Sequence, residues 1–155
     1  MTVHTASTAF RNAIDERHIR DLIEEHLDAL RRKDAAAVVS HYSPDTVMFT
    51  LAPPLQKTPE SSHGRPGVEQ WFAGFEGSLG FEMRDLHIAA GEDVGFCHSL
   101  LHMTATQKDG TKVDMWYRDT LGLRKLNGAW KIAHQHESVP FYMDGGARAA
   151  TELRP

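Results

Sequence analysis

Apolar side chains recur at Ile19, Leu22, Ile23, Leu27 and Leu30, and His26 is the one polar residue in their stripe. Asp21, Glu24, Glu25, Asp28, Arg31 and Arg32 fall on the opposite face. This i, i+3, i+4 recurrence predicts an amphipathic helix beginning near Ile14. Residues 1–12 lack the pattern and read as a loose arm. Asp34 is suited to cap a second, shorter helix, with Ala35, Val38, Val39 and Tyr42 on one face. The run TVMFTL reads as a strand stopped by APP, and residues 53–66, rich in Pro, Ser and Gly, read as a loop. Val68, Trp71, Phe72 and Phe75 return to helical spacing, with Pro66 in the first turn and Gly77 and Gly80 closing the helix.

Beyond Gly80 the pattern changes to strands. FEMRDLHIAA, FCHSLLHMTATQ, TKVDMWYRDTLGLRK and AWKIAHQHESV are separated by GEDVG, Asp109-Gly110 and Asn127-Gly128. Asp-Gly and Asn-Gly between alternating runs are strong hairpin signals, so the C-terminal half is expected to be an antiparallel meander. Helices segregated on one face of such a sheet make an α+β domain, with a ligand cleft between the layers. The whole chain, 1–155, is expected to be a single domain, with residues 142–155 forming a surface tail.

Charge and composition narrow the function. A net charge of −4 and a pI of about 6.2 argue against a nucleic-acid partner. Cys97 is the one cysteine, so no internal disulfide is possible, which fits a reducing compartment. No long apolar run suggests a membrane span or a leader, and the expectation is a cytoplasmic protein. GFEGSLG has no lysine where a phosphate loop needs one, and there is no dinucleotide fingerprint. No cofactor is expected.

The candidate chemistry lies in the histidines, of which there are ten. If Asn127-Gly128 is a two-residue turn, Asp119 faces His136 and Leu121 faces His134. The same count from Asp109-Gly110 sets His102 opposite Tyr117 and His98 opposite Leu121. One face then gathers His98, His102, Tyr117, Asp119, His134, His136 and Ser138. There an Asp–His pair would suit acid–base work, with Asp119 bonded to His136 and Tyr117 to His102 or Ser138. If the turn is instead a three-residue type with a bulge, the last strand flips. Arg118 and Thr120 then join His134 and His136, while Gln135 and Glu137 join Tyr117 and Asp119. Shared facing of Trp130, Ile132, Leu121 and Leu123 favours the first register. The histidine spacing matches no familiar zinc pattern, and no metal site is expected.

RDTLGLRKLNGAWKIAHQHESVPF resembles the SnoaL-like, ketosteroid-isomerase-like branch of the nuclear transport factor 2-like superfamily. The resemblance is carried by Arg118, Thr120, Arg124, Lys125, Gly128, Trp130, Ile132, His134, His136, Ser138, Val139, Pro140 and Phe141. A similar W-x-I-x-H-x-H-x-S string occurs in the association domain of calcium/calmodulin-dependent kinase II. The resemblance implies a cone-shaped fold with a curved antiparallel sheet wrapped on about three helices, a pocket at the wide end, and a homodimer. Residues 23–53 also align with bacterial ketosteroid isomerases. There His26 takes the place of the donor tyrosine and Thr50 that of the aspartate base, so true ketosteroid isomerisation is not expected. The candidate catalytic residues are therefore His26, Asp119 and His136. Thr50, Trp71, Phe75, His102, Tyr117, Arg118 and His134 are the candidate pocket residues. The ligand is expected to be small and partly apolar, and the reaction an isomerisation, dehydration or cyclisation. The alternative is a dimeric binding or assembly module with no chemistry.

Overall fold

The computed structural model of the chain describes residues 3–155. Three helices, α1 (Val3–Arg31), α2 (Ala35–Ser40) and α3 (Arg65–Ala73), lie on one face of a five-stranded sheet. The strands are β1 (Tyr42–Phe49), β2 (Phe75–Ala90), β3 (Val94–Gln107), β4 (Lys112–Leu126) and β5 (Ala129–Ser138). They are ordered β1-β5-β4-β3-β2. The antiparallel meander β2–β5 is as expected, and β1 adds to it in parallel beside β5.

The predicted stripe of α1 is the helical side of the core. Ile19, Leu22, Ile23 and Leu27 are buried against Cys97, Leu101, Met103, Tyr117, Leu121, Leu123 and Ile132 of the sheet. Asp34 caps α2, its carboxylate accepting from Ala37 N at 3.0 Å. A single π-type turn, Pro59–His63, interrupts the loop ahead of α3 and is capped by Thr58.

Several boundaries differ from the sequence reading. Residues 3–12, expected as a loose arm, continue α1, while Met1 and Thr2 lie outside the described residues. Tyr42, expected on the second helix, opens β1. The third helix stops at Gly74, so Phe75 belongs to β2. Its run is an interrupted strand in which Phe75, Leu79 and Phe81 are buried, with Gly77 at φ +61° where the pairing slips. The tail folds back along the surface: Tyr142 N bonds Arg148 O, Ala150 N bonds Pro140 O, and Ala150 is buried.

Two local irregularities set every face of the sheet. The β3–β4 connection is a three-residue loop, Lys108–Gly110, closed by Gln107 N donating to Thr111 O at 2.8 Å, with Gly110 at φ +87°. A two-residue turn was expected, and the extra residue shifts the register by one. His102 therefore pairs with Trp116 and His98 with Thr120. The β4–β5 connection is the expected two-residue turn, with Asn127 at φ +52° and Gly128 at φ +82°. Leu123 pairs with Ile132, but Gly122 pairs with His134, so Ala133 is bulged out. Trp130 and Ile132 face the core before the bulge, and Gln135 faces it afterwards. The faces follow the alternative reading, although the turn is that of the first.

Candidate functional site

Between the helices and the inner sheet face lies a cavity of about 370 Å³. Its walls are largely apolar: Leu27, Val38, Met48, Phe75, Phe81 and Leu101 among them. Its polar groups form two clusters.

The first cluster is carboxylic. Asp119 of β4 and Glu137 of β5 are paired residues on adjacent strands and both line the cavity. Gln135 Nε2 donates to Asp119 Oδ1 at 2.8 Å and lies 3.4 Å from Glu137 Oε1, so one amide spans both acids. Leu51 N donates to Glu137 Oε2 at 3.3 Å and fastens the loop after β1 to the same side chain. Burial pushes Asp119 up to about 6, against the lowering effect of the Gln135 amide. Burial and repulsion from Asp119 push Glu137 up to about 7, against the Leu51 amide and Lys57. Both acids can thus exchange a proton near neutral pH.

The second cluster is imidazole and phenol. His26, from the buried stripe of α1, places Nδ1 3.1 Å from His41 Nδ1 and Nε2 3.4 Å from Tyr42 Oη. Tyr42 stacks on His63 with ring centres 4.9 Å apart. Burial, with a smaller contribution from His41, lowers His26 to about 3, so the ring is neutral. Burial and the nearby Glu137 and Asp119 raise Tyr42, which remains a protonated phenol. His63 is buried and its Nε2 has no protein partner.

Of the residues singled out from sequence, His26, Thr50, Trp71, Phe75, Tyr117 and Asp119 line this cavity. Thr50 donates to Ala52 O at 3.0 Å, and Trp71 is 39% exposed. His102, Arg118, His134 and His136 do not line it: the loop register turns His102 to the outer face, the Ala133 bulge turns His134 and His136, and Arg118 lies there by alternation between the buried Tyr117 and Asp119. The expected Asp119–His136 bond is replaced by Asp119–Gln135. His102 instead meets Asp114 at 2.7 Å and stacks on Trp116. His134 lies 2.8 Å from Val47 O, and its ring and that of His136 meet Phe49 edge-on. Among the described residues no group of three or more His, Cys, Asp or Glu side chains is arranged to hold a metal ion.

The sequence reading did not place Glu137, Gln135, Tyr42 and His63 among the site residues. A signal for the first two was present in Gly122. A Cβ there would stand 3.2 Å from that of His134, and glycine inside a strand marks such close approaches and bulges. Tyr42 and His63 gave no comparable sign.

The sequence matches a SnoaL-like domain model over residues 19–142. No curated protein matches it. Among solved structures, an NTF2-like protein of unknown function from Pseudomonas putida KT2440 superposes with a TM-score of 0.80 at 28% identity, covering 92% of this chain and 98% of that one. An NTF2-like superfamily protein from Salmonella enterica serovar Typhimurium gives 0.72 at 17% identity, covering 88% and 98%. A ketosteroid isomerase-like protein from Erwinia carotovora gives 0.64 at 22% identity, covering 80% and 95%. With four-fifths of its length under the family model and the same helix-on-sheet architecture, the chain belongs to the SnoaL-like domain family of the nuclear transport factor 2-like superfamily.

Proposed function

We propose that the chain binds a small, neutral, partly apolar molecule in this cavity and carries out cofactor-independent proton transfer on it. Isomerisation, dehydration and cyclisation are the reactions of this type. The carrying observation is the Asp119–Glu137 pair, two carboxyl groups poised at about 6 and about 7 within an apolar enclosure. Acid–base catalysis works best with a pKa near the working pH. Glu137, whose ionised form dominates above neutrality, is the base. Asp119, the stronger acid of the pair, is ionised first and keeps Glu137 basic, so the proton taken from the ligand stays on Glu137 for return to the product. The His26–Tyr42 pair faces the cavity as a hydrogen-bond donor to the oxygen on which charge develops. Among the described residues an anionic substrate would meet two acids and one cation, Lys57, so a neutral molecule fits better. His136, a candidate from sequence, has no role in this reading because it faces away.

Deuterium incorporation at the α-carbon of small cyclic ketones in D₂O tests the proposal. Glu137→Gln is expected to slow incorporation by ~10²–10⁴-fold, the usual contribution of a positioned general base. Equal rates for the parent and Glu137→Gln, or no incorporation above solvent background, would leave a binding module without chemistry.

The proposal includes a cytoplasmic homodimer joined through the outer sheet face. That face presents Phe49, Phe96, Trp116, His98, His102, His134 and His136, and Phe96 is 54% exposed. An apolar patch of this kind on a lone protomer would be sticky. No helix among the described residues is long and apolar enough to cross a membrane. The buried Cys97 thiol, pushed up to about 12 by burial and by Asp119, is unreactive. Sedimentation equilibrium at micromolar concentration should show twice the 17.4 kDa chain mass. A 17.4 kDa species alone would refute the dimer.

A further inference from the structure

We propose that His41 is a positioning residue. Through the tautomer of His26 it leaves the Tyr42 hydroxyl free to donate into the cavity, so the ligand presents a hydrogen-bond acceptor, such as a carbonyl oxygen, to Tyr42. The inference rests on reading the cavity as a ligand site, but its central claim concerns the protons of the protein's own side chains.

The geometry restricts those protons to two arrangements. The Nδ1 atoms of His26 and His41 are 3.1 Å apart, so one carries the hydrogen and the other accepts it. If His26 supplies it, its Nε2 is bare and must accept from Tyr42 Oη at 3.4 Å. The phenol proton is then turned away from the ligand. If His41 supplies it, the His26 proton sits on Nε2 and points at the Tyr42 oxygen. The phenol proton is then released toward the cavity that Tyr42 lines.

The surroundings select the second arrangement. His41 is half-buried at the C-cap of α2, just ahead of β1, facing Glu25 and His26 of α1, Asp34 at the N-cap of α2, and Lys131 of β5. Burial, the largest effect, and Lys131 work against a proton on His41, while Glu25 and Asp34 favour one; the balance holds His41 below the ordinary histidine range, so near neutral pH the pair is uncharged. His26 is enclosed by His41 and Tyr42 with no carboxylate beside it, and burial disfavours its charged form further. When the pair takes up a proton, His41 therefore receives it. An imidazolium has no bare nitrogen and must donate, which forces Nε2–H on His26. Beyond His26, Tyr42 faces His63, Tyr117, Asp119 and Glu137, and the two acids oppose loss of its phenol proton. While the pair is uncharged, these acids, which line the cavity with Tyr42, draw its phenol proton toward the cavity and away from His26, so the same arrangement holds.

Long-range ¹H–¹⁵N spectra of the full chain, labelled at histidine nitrogens, read this directly between pH 8 and 5. His26 is expected as the neutral Nε2–H tautomer at every pH, while His41 moves toward imidazolium as the pH falls. In His41→Phe, which removes the donor, His26 should shift toward Nδ1–H. His41→Asn, whose amide can donate from the same place, should restore Nε2–H. A His26 ring carrying its proton on Nδ1 in the parent, or a tautomer unchanged in His41→Phe, overturns the assignment. If His41→Phe does not fold, the parent titration decides alone. Benzophenone, a neutral ketone, tests the ligand class. Tyr42→Phe should weaken it about five- to tenfold, the loss of one neutral hydrogen bond. Equal affinity overturns the donor role of Tyr42. No benzophenone binding by the parent overturns the acceptor-bearing ligand while leaving the tautomer result standing.

Discussion

Between pH 5 and pH 8, Glu137→Gln is expected to gain roughly 2–3 kcal/mol of unfolding free energy relative to the parent. The folded-state pKa of Glu137 is raised to about 7 by burial and by Asp119. A raised carboxyl contributes stability that is fully present below its unfolded value near 4.5 and is lost as the pH passes through about 7. Glutamine keeps the shape and the acceptor for Leu51 N but never ionises, so the variant escapes that loss. The opposite sign applies to His26. Its folded value is lowered to about 3, so unfolding takes up a proton below the ordinary histidine range, and stability falls as the pH drops below about 6.5. The two contributions oppose each other in the parent, which makes its own pH profile flatter than that of Glu137→Gln. Urea denaturation of both proteins at pH 5, 6.5 and 8 measures the difference. A gap between them constant to within about 0.5 kcal/mol would show that Glu137 ionises as it does in water.

The fold was legible because its signals are redundant. The apolar stripe of α1 and the Asn127-Gly128 turn each stood on several residues, and each agreed with the family resemblance. The faces of the sheet were not legible in the same way. With a side-chain period of two, a single residue in a loop or bulge inverts everything beyond it. Lys108–Gly110 holds three residues where two were expected, which sent His98 and His102 outward. Ala133 sent His134 and His136 outward and brought Gln135 and Glu137 in. The grouping of Trp130 and Ile132 with Leu121 and Leu123 was correct, but it could not report on residues past the bulge. His26 and Asp119 could be placed on the cavity wall because each also lay within a pattern: a polar residue in an apolar stripe, and an acid among alternating apolar positions. Tyr42 was assigned to the wrong element, and its partner His63 lies in a loop without periodicity.

Asp15→Ala is expected to destabilise the fold by about 3 kcal/mol, at the lower end of the range for breaking a buried ion pair. Asp15 sits on α1, 3% exposed. Its Oδ1 accepts from Trp130 Nε1 at 2.9 Å and meets Lys125 Nζ at 2.6 Å. The Lys125 ammonium also lies 5.0 Å from the centre of the Trp130 ring. One carboxylate thus ties the first helix to both strands of the Asn127-Gly128 hairpin. Burial alone would raise its pKa, but the bonds from Lys125 and Trp130 prevail and hold it below the usual carboxylate range. Alanine leaves the buried indole N–H without an acceptor and Lys125, whose side chain is 21% exposed, without its counter-ion. Asp15→Asn keeps an acceptor for Trp130 and should cost less, about 1–2 kcal/mol. A protein of this size loses about 2–4 °C of Tm per kcal/mol, so Asp15→Ala should melt roughly 6–12 °C lower. The pH signature separates this site from the cavity acids. A depressed carboxylate contributes stability that is present above its unfolded value and is lost only as the pH falls through the lower folded one. The Asp15→Ala deficit should therefore be constant from pH 5 to 8, the interval in which Glu137→Gln changes most. A deficit under about 0.5 kcal/mol would mean that the helix is held to the hairpin by apolar packing alone.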